Sequence, residues 1–133
     1  MRNRSDLLLM AGGVATFVVG AIHLQQYADF IKDVPTIGGL FLLNSFAAGV
    51  ICLMLATPLR TLAALGGIAV SAAALASLAV ARFASGGLFD YVEPTFRGPV
   101  AISVAAEVIA VLCLAAHLAV RARSSAASKA QPA

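Results

Sequence analysis

The sequence predicts an all-α fold, a bundle of four transmembrane helices, from its composition and from four long apolar runs. The chain has 133 residues, of which 61% are hydrophobic and only 11% charged, whereas soluble domains carry about 25% charged residues. Its mean hydropathy is +0.96. A soluble fold of this length would not bury so much apolar surface, so we expect the lipid bilayer to act as its solvent.

The four apolar runs set the predicted helices: residues 7–26, 37–56, 62–81 and 100–120. Each is close to the roughly 20 residues that a helix needs to cross a bilayer. Backbone groups in lipid must hydrogen-bond within their own segment, and the runs do not alternate as barrel strands do, so helices are expected. The sequence predicts a single membrane domain over residues 1–123. Residues 124–133 lack large apolar side chains and predict a disordered cytoplasmic tail.

The distribution of basic residues predicts the orientation of the bundle. If the N-terminus is cytoplasmic, six basic residues lie inside and three outside, as the positive-inside rule requires. The inside set is Arg2, Arg4, Arg60, Arg121, Arg123 and Lys129, and the outside set is Lys32, Arg82 and Arg97. We therefore expect a multi-pass protein of the inner (plasma) membrane with both termini in the cytoplasm.

The two predicted outer loops resemble each other, which favours an internal repeat. Residues 29–38 and 90–98 both begin with an acid and an aromatic residue and continue to Pro-Thr, an apolar residue and a glycine, with two residues fewer before Pro-Thr in the second loop. Duplication would give two helical hairpins related by an axis along the membrane normal. The alternative is that helix entries share a proline near the first turn and a threonine beside it.

Glu107 is the most informative residue, because it is an acid near the middle of the last apolar run. Placing a charge at the centre of a bilayer costs about 3 kcal/mol on insertion scales. We therefore expect Glu107 to face protein or water, or to be protonated. Each of these outcomes makes the side chain a candidate for function.

Three further polar side chains are predicted near Glu107 from their depth in the spans. Ser103 lies one helical turn away on the same face. Asn44 lies at a similar level in the second span, and His23 lies one or two turns nearer the outer end. These four residues are the candidate ligand- or proton-handling cluster. It admits three interpretations: a structural lock between helices, a binding site for a small ligand or ion, and a proton relay.

A resident metal or cofactor is not expected at this cluster. Histidine and carboxylate suit zinc or copper, but two firm ligands fall short of a four-coordinate site, and the chain has no His-x-x-x-His or Cys-x-x-Cys. Cys52 and Cys113 lie within spans and are expected to be small packing residues, with a redox pair or a soft-metal site as the alternative. His117, close to Arg121, is expected to be interfacial.

Small residues recur at helical spacing and predict close helix packing. One face of the first span carries Gly12, Thr16, Gly20, His23 and Tyr27, and the third span has a similar row. Such rows let membrane helices approach closely. The contact made is either within the bundle or with another subunit.

Four residues of the outer loops are candidates for a partner surface. They are Tyr27, Asp29, Asp90 and Tyr91, which lie in similar positions of the two loops. Their other possible role is to cap helices and shape turns. A docking surface formed by them would face a periplasmic or membrane partner.

One pattern of residues resembles a known group of proteins. It consists of residues 20–24 (Gly-Ala-Ile-His-Leu), Tyr27 and residues 35–44 (Pro-Thr-Ile-Gly-Gly-Leu-Phe-Leu-Leu-Asn), and it covers roughly the first third of the chain. This pattern resembles that of small four-span integral membrane proteins of high-GC Gram-positive bacteria. The resemblance implies the fold and location, with His23 and Asn44 as polar positions, and no catalytic role, because the function of that group is not characterised.

The expected function is non-enzymatic. The chain has no glycine-rich phosphate loop, no Gly-x-Ser-x-Gly, no His-Glu-x-x-His and no basic stripe for nucleic acid. The first hypothesis is an accessory or scaffold subunit of a larger membrane assembly, whose partners are the lipid bilayer and that assembly or a second copy. The second is a ligand-, ion- or proton-handling carrier built on the polar cluster. The third is an intramembrane enzyme.

Overall fold

Four α-helices account for most of residues 3–130, which are the residues that this computed structural model describes. They are α1 (Arg4–Gln26), α2 (Ile37–Leu55), α3 (Arg60–Phe83) and α4 (Gly98–Ala130), and a π-helical turn, Tyr27–Ile31, continues α1. Within residues 3–130 there is no β-strand, only an isolated bridge between Leu88 and Tyr91. The predicted all-helical, four-helix fold is confirmed.

The surface of the bundle is apolar along every helix. All four helices are long and apolar enough to cross a membrane. Large apolar side chains are exposed on each of them, such as Phe17 on α1, Phe46 on α2, Leu65 on α3 and Leu112 on α4. Water would make such a surface unfavourable, whereas acyl chains match it. The chain is therefore a small multi-pass integral membrane protein in contact with lipid.

Helix α4 ends later than the sequence predicts. The expected domain boundary at residue 123 lies inside this helix, which continues to Ala130. Residues 124–128 are alanine and serine. Alanine is the best helix former, and Ser124 Oγ donates a hydrogen bond of 3.1 Å to the Val120 carbonyl. Residues 124–130 are therefore helical, although the sequence predicted disorder for them. Residues 131–133, and Arg2 at the other end, lie outside the described residues.

Neighbouring helices run antiparallel in the order α1, α2, α3, α4, and α4 returns to α1. Of the four neighbouring pairs, α1 and α4 pack most extensively and α2 and α3 least. We call the end that holds residues 3–5 and the turn at 56–59 the terminal half of the bundle. The end that holds the loops at 27–36 and 84–97 is the loop half. The bundle is closed along α1 and α4 and looser along α2 and α3.

The two loops differ in backbone structure. The first contains the π-helical turn and then Thr36 with a φ of 65°, whereas the second has Phe89 and Asp90 at φ values of 49° and 64°. The helix pairs that a two-hairpin repeat would make equivalent, α1 with α4 and α3 with α2, also pack to different extents. Duplication of a hairpin therefore stays a prediction.

The terminal half is packed around Leu114 of α4, which is 0% exposed. Leu114 fits between Gly12 of α1 and Gly67 of α3, because a Cβ added to either glycine would lie 2.6 Å from its side chain. Nearer the loop half, a Cβ on Gly20 would lie 2.8 Å from Cβ of Ala48 on α2. The small-residue face of α1 thus packs within the bundle.

Candidate functional site

A cavity of about 400 Å³ lies in the loop half, where α2 and α3 separate. Its walls come mainly from these two helices, and they include Leu40, Leu43, Val70, Ala74 and Leu78. Leu43 lines the cavity and is also 61% exposed on the outside of the bundle. The cavity therefore opens sideways, between α2 and α3, towards the surface that contacts lipid.

The four polar side chains predicted as a cluster all line this cavity. His23 comes from α1, Asn44 from α2, and Ser103 and Glu107 from α4. Helix α3 contributes Ser77 but otherwise apolar residues. The cluster from α1, α2 and α4 therefore faces an α3 wall that is apolar apart from Ser77.

Glu107 is buried within the bundle and held by its own helix. The side chain is 2% exposed, and Ser103 Oγ donates a hydrogen bond of 2.9 Å to its Oε1. Ser103 lies four residues earlier, so the two side chains are neighbours on one helix face. His23 Nε2 lies 3.9 Å from the same oxygen, which is beyond hydrogen-bonding distance.

The hydrogen bonds of His23 define which of its nitrogens carries a proton. Nδ1 lies 2.9 Å from the carbonyl oxygen of Val19. A carbonyl only accepts hydrogen bonds, so Nδ1 must donate, and in the neutral ring Nε2 is then an acceptor. The ring also lies against Phe41, with 4.9 Å between the ring centroids. His23 therefore presents a fixed acceptor next to Glu107.

Asn44 has an unused hydrogen-bonding atom. Its Oδ1 is buried and has no hydrogen-bond partner among the described residues. The structural interpretation expects Asn44 to bind Glu107, and no such bond forms between them. An unpaired buried acceptor costs about 1–3 kcal/mol. A site that retains such an atom offers it to a ligand with a donor group.

The loop at 84–97 covers the end of the cavity. Leu88, Tyr91 and Glu93 of this loop line it. Glu93 is 3% exposed. Its carboxylate accepts hydrogen bonds from Tyr91 Oη at 2.7 Å and from Arg97 Nη2 at 3.3 Å. The pKa of Tyr91 is raised to about 12, chiefly by burial and then by the hydrogen bond to Glu93 and the charge of Glu93.

Two arginines hold this loop in place. Arg82 Nη1, at the end of α3, donates hydrogen bonds of 3.1 and 3.2 Å to the carbonyls of Glu93 and Pro94. The guanidinium of Arg97 lies over the ring of Phe30, 4.9 Å from its centroid, in a cation–π contact. Arg97 thus connects the two loops.

Sequence reasoning missed Glu93, because acids in loops are usually solvated. The available signal was the segment 91–97, in which a tyrosine, an acid and an arginine fall close together. In an extended loop this spacing does not define a common face, so the contact depends on how the loop folds back. The backbone N–H of Glu93 bonds to the Ala81 carbonyl at 3.1 Å, which is what turns the acid inwards.

The four residues predicted as a partner surface differ in exposure and in the contacts that they make. Asp29 and Asp90 are exposed, and Tyr27 is half-buried in the π-helical turn. Tyr91 lines the cavity and is bonded to Glu93. Tyr91 therefore belongs to the cavity, and the partner role of the other three stays a prediction.

His117 is buried under α1, close to the end of the bundle that holds Arg121. It is 1% exposed, and its Nδ1 lies 2.8 Å from the carbonyl oxygen and 2.9 Å from Oγ of Ser5. Its predicted interfacial role stays a prediction, because burial of the ring does not define its depth in the membrane. His117 joins the first turn of α1 to α4.

The cysteines and acids do not assemble a metal centre in residues 3–130, where no group of three or more His, Cys, Asp or Glu residues is placed to hold a metal ion. Cys52 and Cys113 are both free and half-buried. Cys52 Sγ lies 3.6 Å from the Gly13 carbonyl. This is a weak contact of the kind that a buried thiol makes in a packed helix interface.

No family model, curated protein or solved structure matches the chain. The resemblance to small four-span membrane proteins of high-GC Gram-positive bacteria therefore stays a prediction. The functional argument depends on the residues of the cavity and on their geometry.

Proposed function

We propose that this integral membrane protein binds one small amphipathic molecule, which enters the loop-half cavity sideways from the lipid. The observation that carries the proposal is the unpaired Oδ1 of Asn44 in a cavity that also holds His23 and Glu107. Ligand sites commonly occupy about 300–1,000 Å³ and combine apolar walls with a few convergent polar groups. A cavity of about 400 Å³ with a polar cluster facing a largely apolar α3 wall fits this description.

The polar groups define the head group of the ligand. Asn44 Oδ1 and His23 Nε2 are both acceptors, and a carboxyl oxygen of Glu107 lies 3.9 Å from Nε2. Acceptors are satisfied by a donor, so the head group carries an O–H or N–H. The rest of the ligand is apolar, because most of the other side chains that line the cavity are apolar, among them Leu40, Val70 and Leu78.

A metal-ion carrier has less support than a ligand-binding protein. His23 and Glu107 lie close together, but within residues 3–130 no group of three or more His, Cys, Asp or Glu residues is placed to hold a metal ion, and metal centres usually need more than two ligands. A proton relay would use the same two side chains. It remains compatible with ligand binding, because a donor head group between Nε2 and Oε1 would connect them.

The enzyme hypothesis requires a cavity that joins Glu107 and His23 to lipid or water, and the loop-half cavity meets that requirement. The order of the side chains is less favourable. A Ser-His-acid triad places the histidine between the hydroxyl and the acid. Here the carboxyl group of Glu107 lies between Ser103 and His23. An enzyme therefore stays the third hypothesis.

Two matched alanine substitutions on α3 test the proposal. Ala74 lines the cavity, and Ala76 is exposed on the lipid-facing side. Ala74→Phe fills the cavity and should abolish binding of a long-chain alcohol, measured by native mass spectrometry of the purified protein. Ala76→Phe adds the same ring outside the cavity and should bind normally. Equal binding by both variants would refute the cavity as the site.

A chemical control tests the head group. The methyl ether of the same long-chain alcohol has the same tail but no hydrogen to donate. The native protein should bind the alcohol at least about tenfold more tightly, which corresponds to one hydrogen bond of roughly 1.4 kcal/mol. In Asn44→Leu this preference should be reduced. Equal affinity for both molecules would contradict the donor assignment.

The role of an accessory or scaffold subunit stays a prediction. The exposed apolar faces suit lipid and a partner helix equally well, so they do not decide between the two. Purification from native membranes in mild detergent separates the hypotheses. Co-migration with a large complex would support the accessory role, and a monomer or dimer that carries a bound amphiphile would support the binding role.

We also propose the plasma membrane as the location, with both termini in the cytoplasm. Four spans return the chain to the side from which it started. Arg4, Arg60, Arg121 and Arg123 lie at the terminal half, and Lys32, Arg82 and Arg97 at the loop half. The positive-inside rule then places the terminal half in the cytoplasm. Labelling of cysteines introduced at Asp33 and Thr57 with an impermeant reagent tests this, since only the first should react in intact cells.

A further inference from the structure

A second pocket lies at the opposite end of the bundle from the loop-half cavity. It has a volume of about 550 Å³ and lies between the first turn of α1, the start of α3 and the last turns of α4. Two cationic side chains line it, Arg60 from α3 and Arg121 from α4. The serines of α4 beyond residue 120, Ser124, Ser125 and Ser128, line it as well.

The charges in this pocket favour an anion. Among the described residues, the ion pairs are Glu93 with Arg97 and Glu107 near His23, both in the loop half. Arg60 and Arg121 are therefore not paired with a described acid. Asp6 also lines the pocket. With two guanidinium groups against one carboxylate, the pocket keeps a positive excess.

His117 is the second and independent observation. It lines the same pocket, is 1% exposed, and its Nε2 is buried with no hydrogen-bond partner among the described residues. Its Nδ1 is fixed by Ser5. Since the Ser5 carbonyl only accepts, Nδ1 carries the proton in the neutral ring and Nε2 is an acceptor. The ring is thus held with one nitrogen uncommitted, and this nitrogen suits a hydroxyl group of the ligand, beside arginines that suit its negative charge.

We propose that this pocket binds a phosphate group, supplied by the head group of an anionic lipid or by free phosphate. A phosphate offers several acceptor oxygens, which match the forked donors of two arginines and the hydroxyls of serine. The pocket lies where the apolar spans end, at the depth of lipid head groups. Its volume exceeds that of a phosphate ion, which leaves room for the glycerol part of a head group.

The extension of α4 is needed for this site. The serines that form one wall belong to residues 124–128, beyond the predicted end of the last span. These serines line the pocket because the helix continues past the membrane end of the bundle. The Ser124 hydroxyl already donates to the Val120 carbonyl, so Ser125 and Ser128 are the hydroxyl donors that the proposal uses. The site is independent of the loop-half cavity, since the two share no lining residue.

Arginine substitutions in the full chain test the proposal. The purified protein in neutral detergent is titrated with phosphatidylglycerol and, separately, with inorganic phosphate, and binding is followed by native mass spectrometry and by the thermal midpoint. Arg60→Gln and Arg121→Gln should each weaken the binding of phosphatidylglycerol by about tenfold, as expected for the loss of charge-assisted hydrogen bonds. Arg123→Gln removes the same charge from the same end of α4, but Arg123 does not line the pocket. It should change binding by less than about twofold.

The two ligands identify the source of the phosphate. Binding of phosphatidylglycerol alone assigns the pocket to a lipid head group, and binding of inorganic phosphate at similar concentrations assigns it to the free ion. Either result supports the site, provided that Arg60→Gln and Arg121→Gln weaken it. If neither ligand binds, or if Arg123→Gln weakens binding as much as the other two variants, the proposal is overturned.

Discussion

The terminal half and the loop half of the bundle are formed by the same four helices but are packed in different ways. In the terminal half, Leu114 fills the space between α1 and α3 and leaves two glycines no room for a Cβ. In the loop half, α2 and α3 part around a cavity of about 400 Å³. Close packing at one end holds the helices together, so the other end can remain open. Stability and binding are therefore expected to depend on different residues.

Leu114→Ala should have the largest effect on stability. Removing a buried leucine costs about 2–5 kcal/mol in soluble cores. We expect the lower part of this range, because lipid is as apolar as leucine and only packing is lost. The free energy of unfolding is measured by SDS titration in mixed micelles. Leu78→Ala removes the same atoms from the wall of the existing cavity and should cost less than about 1 kcal/mol. Equal losses of unfolding free energy in Leu114→Ala and Leu78→Ala would contradict the difference in packing between the two halves.

Glycine-to-alanine substitutions should also change stability differently in packed and open positions, but by less than Leu114→Ala. Gly12→Ala and Gly67→Ala each place a methyl group 2.6 Å from the Leu114 side chain, and overpacking of this kind costs about 1–3 kcal/mol. At Gly49 of α2 a Cβ would meet no atom within 4 Å. Gly49→Ala should therefore be neutral or stabilising by up to about 1 kcal/mol. The same SDS titration measures all three variants, and a destabilised Gly49→Ala would argue against the open face of α2.

Glu107→Gln should change binding more than stability. Glutamine keeps one oxygen to accept the hydrogen bond from Ser103 but places an N–H₂ group where the carboxyl offered a second acceptor. We expect about tenfold weaker binding of the long-chain alcohol, with a change in unfolding free energy within about 1 kcal/mol. Native mass spectrometry and SDS titration measure the two quantities. A variant that fails to accumulate in membranes would favour the structural interpretation of Glu107.

Glu93→Gln should give the smallest effect, a change in the titration of Tyr91. The pKa of Tyr91 is raised from 10.0 to about 12, first by burial and then by Glu93. Since the folded pKa is raised, the protonated phenol contributes stability fully below about pH 10. This contribution is lost as the pH rises towards 12. In Glu93→Gln the pKa should fall part of the way, because burial remains.

The absorbance of the phenolate measures this pKa in a Tyr27→Phe background, where Tyr91 is the only tyrosine. The exposed neighbouring acid provides the control. Asp90→Asn should leave the Tyr91 pKa unchanged, because Asp90 is exposed to solvent and the Tyr91 pKa is set by burial, Glu93 and Arg97. An equal fall in both variants would mean that general loop charge, rather than the Glu93 contact, raises the pKa.

The sequence predicts the helices well because their physical cause is local. A run of about 20 apolar residues is sufficient to define a span, and the observed α2, Ile37–Leu55, differs from the prediction by one residue. The Ser103–Glu107 hydrogen bond also follows from sequence, since residues four apart on a helix are neighbours. Depth along the spans placed Asn44 at the level of Glu107 and His23 one or two turns nearer the outer end, and all of them line the same cavity.

The cavity itself could not be predicted, because depth along a span does not say how far apart two helices lie. The separation of α2 from α3 depends on side-chain fit in the whole bundle, above all around Leu114. The burial of Glu93 depends on a backbone bond to Ala81 that no local pattern specifies. The helical segment after residue 123 was missed for another reason. Its polar composition indicated disorder, and the high helix propensity of its alanines was given too little weight.

Helix α4 is long enough to extend beyond the membrane, so its end can carry a probe of helix motion. Its 33 residues correspond to about 50 Å, well beyond the roughly 30 Å of the hydrocarbon core. The projecting turns form a rigid lever on the helix that carries Glu107. A spin label at the exposed Ala127 would therefore report rotation or tilting of that helix when an amphiphile occupies the distant cavity, without touching either pocket.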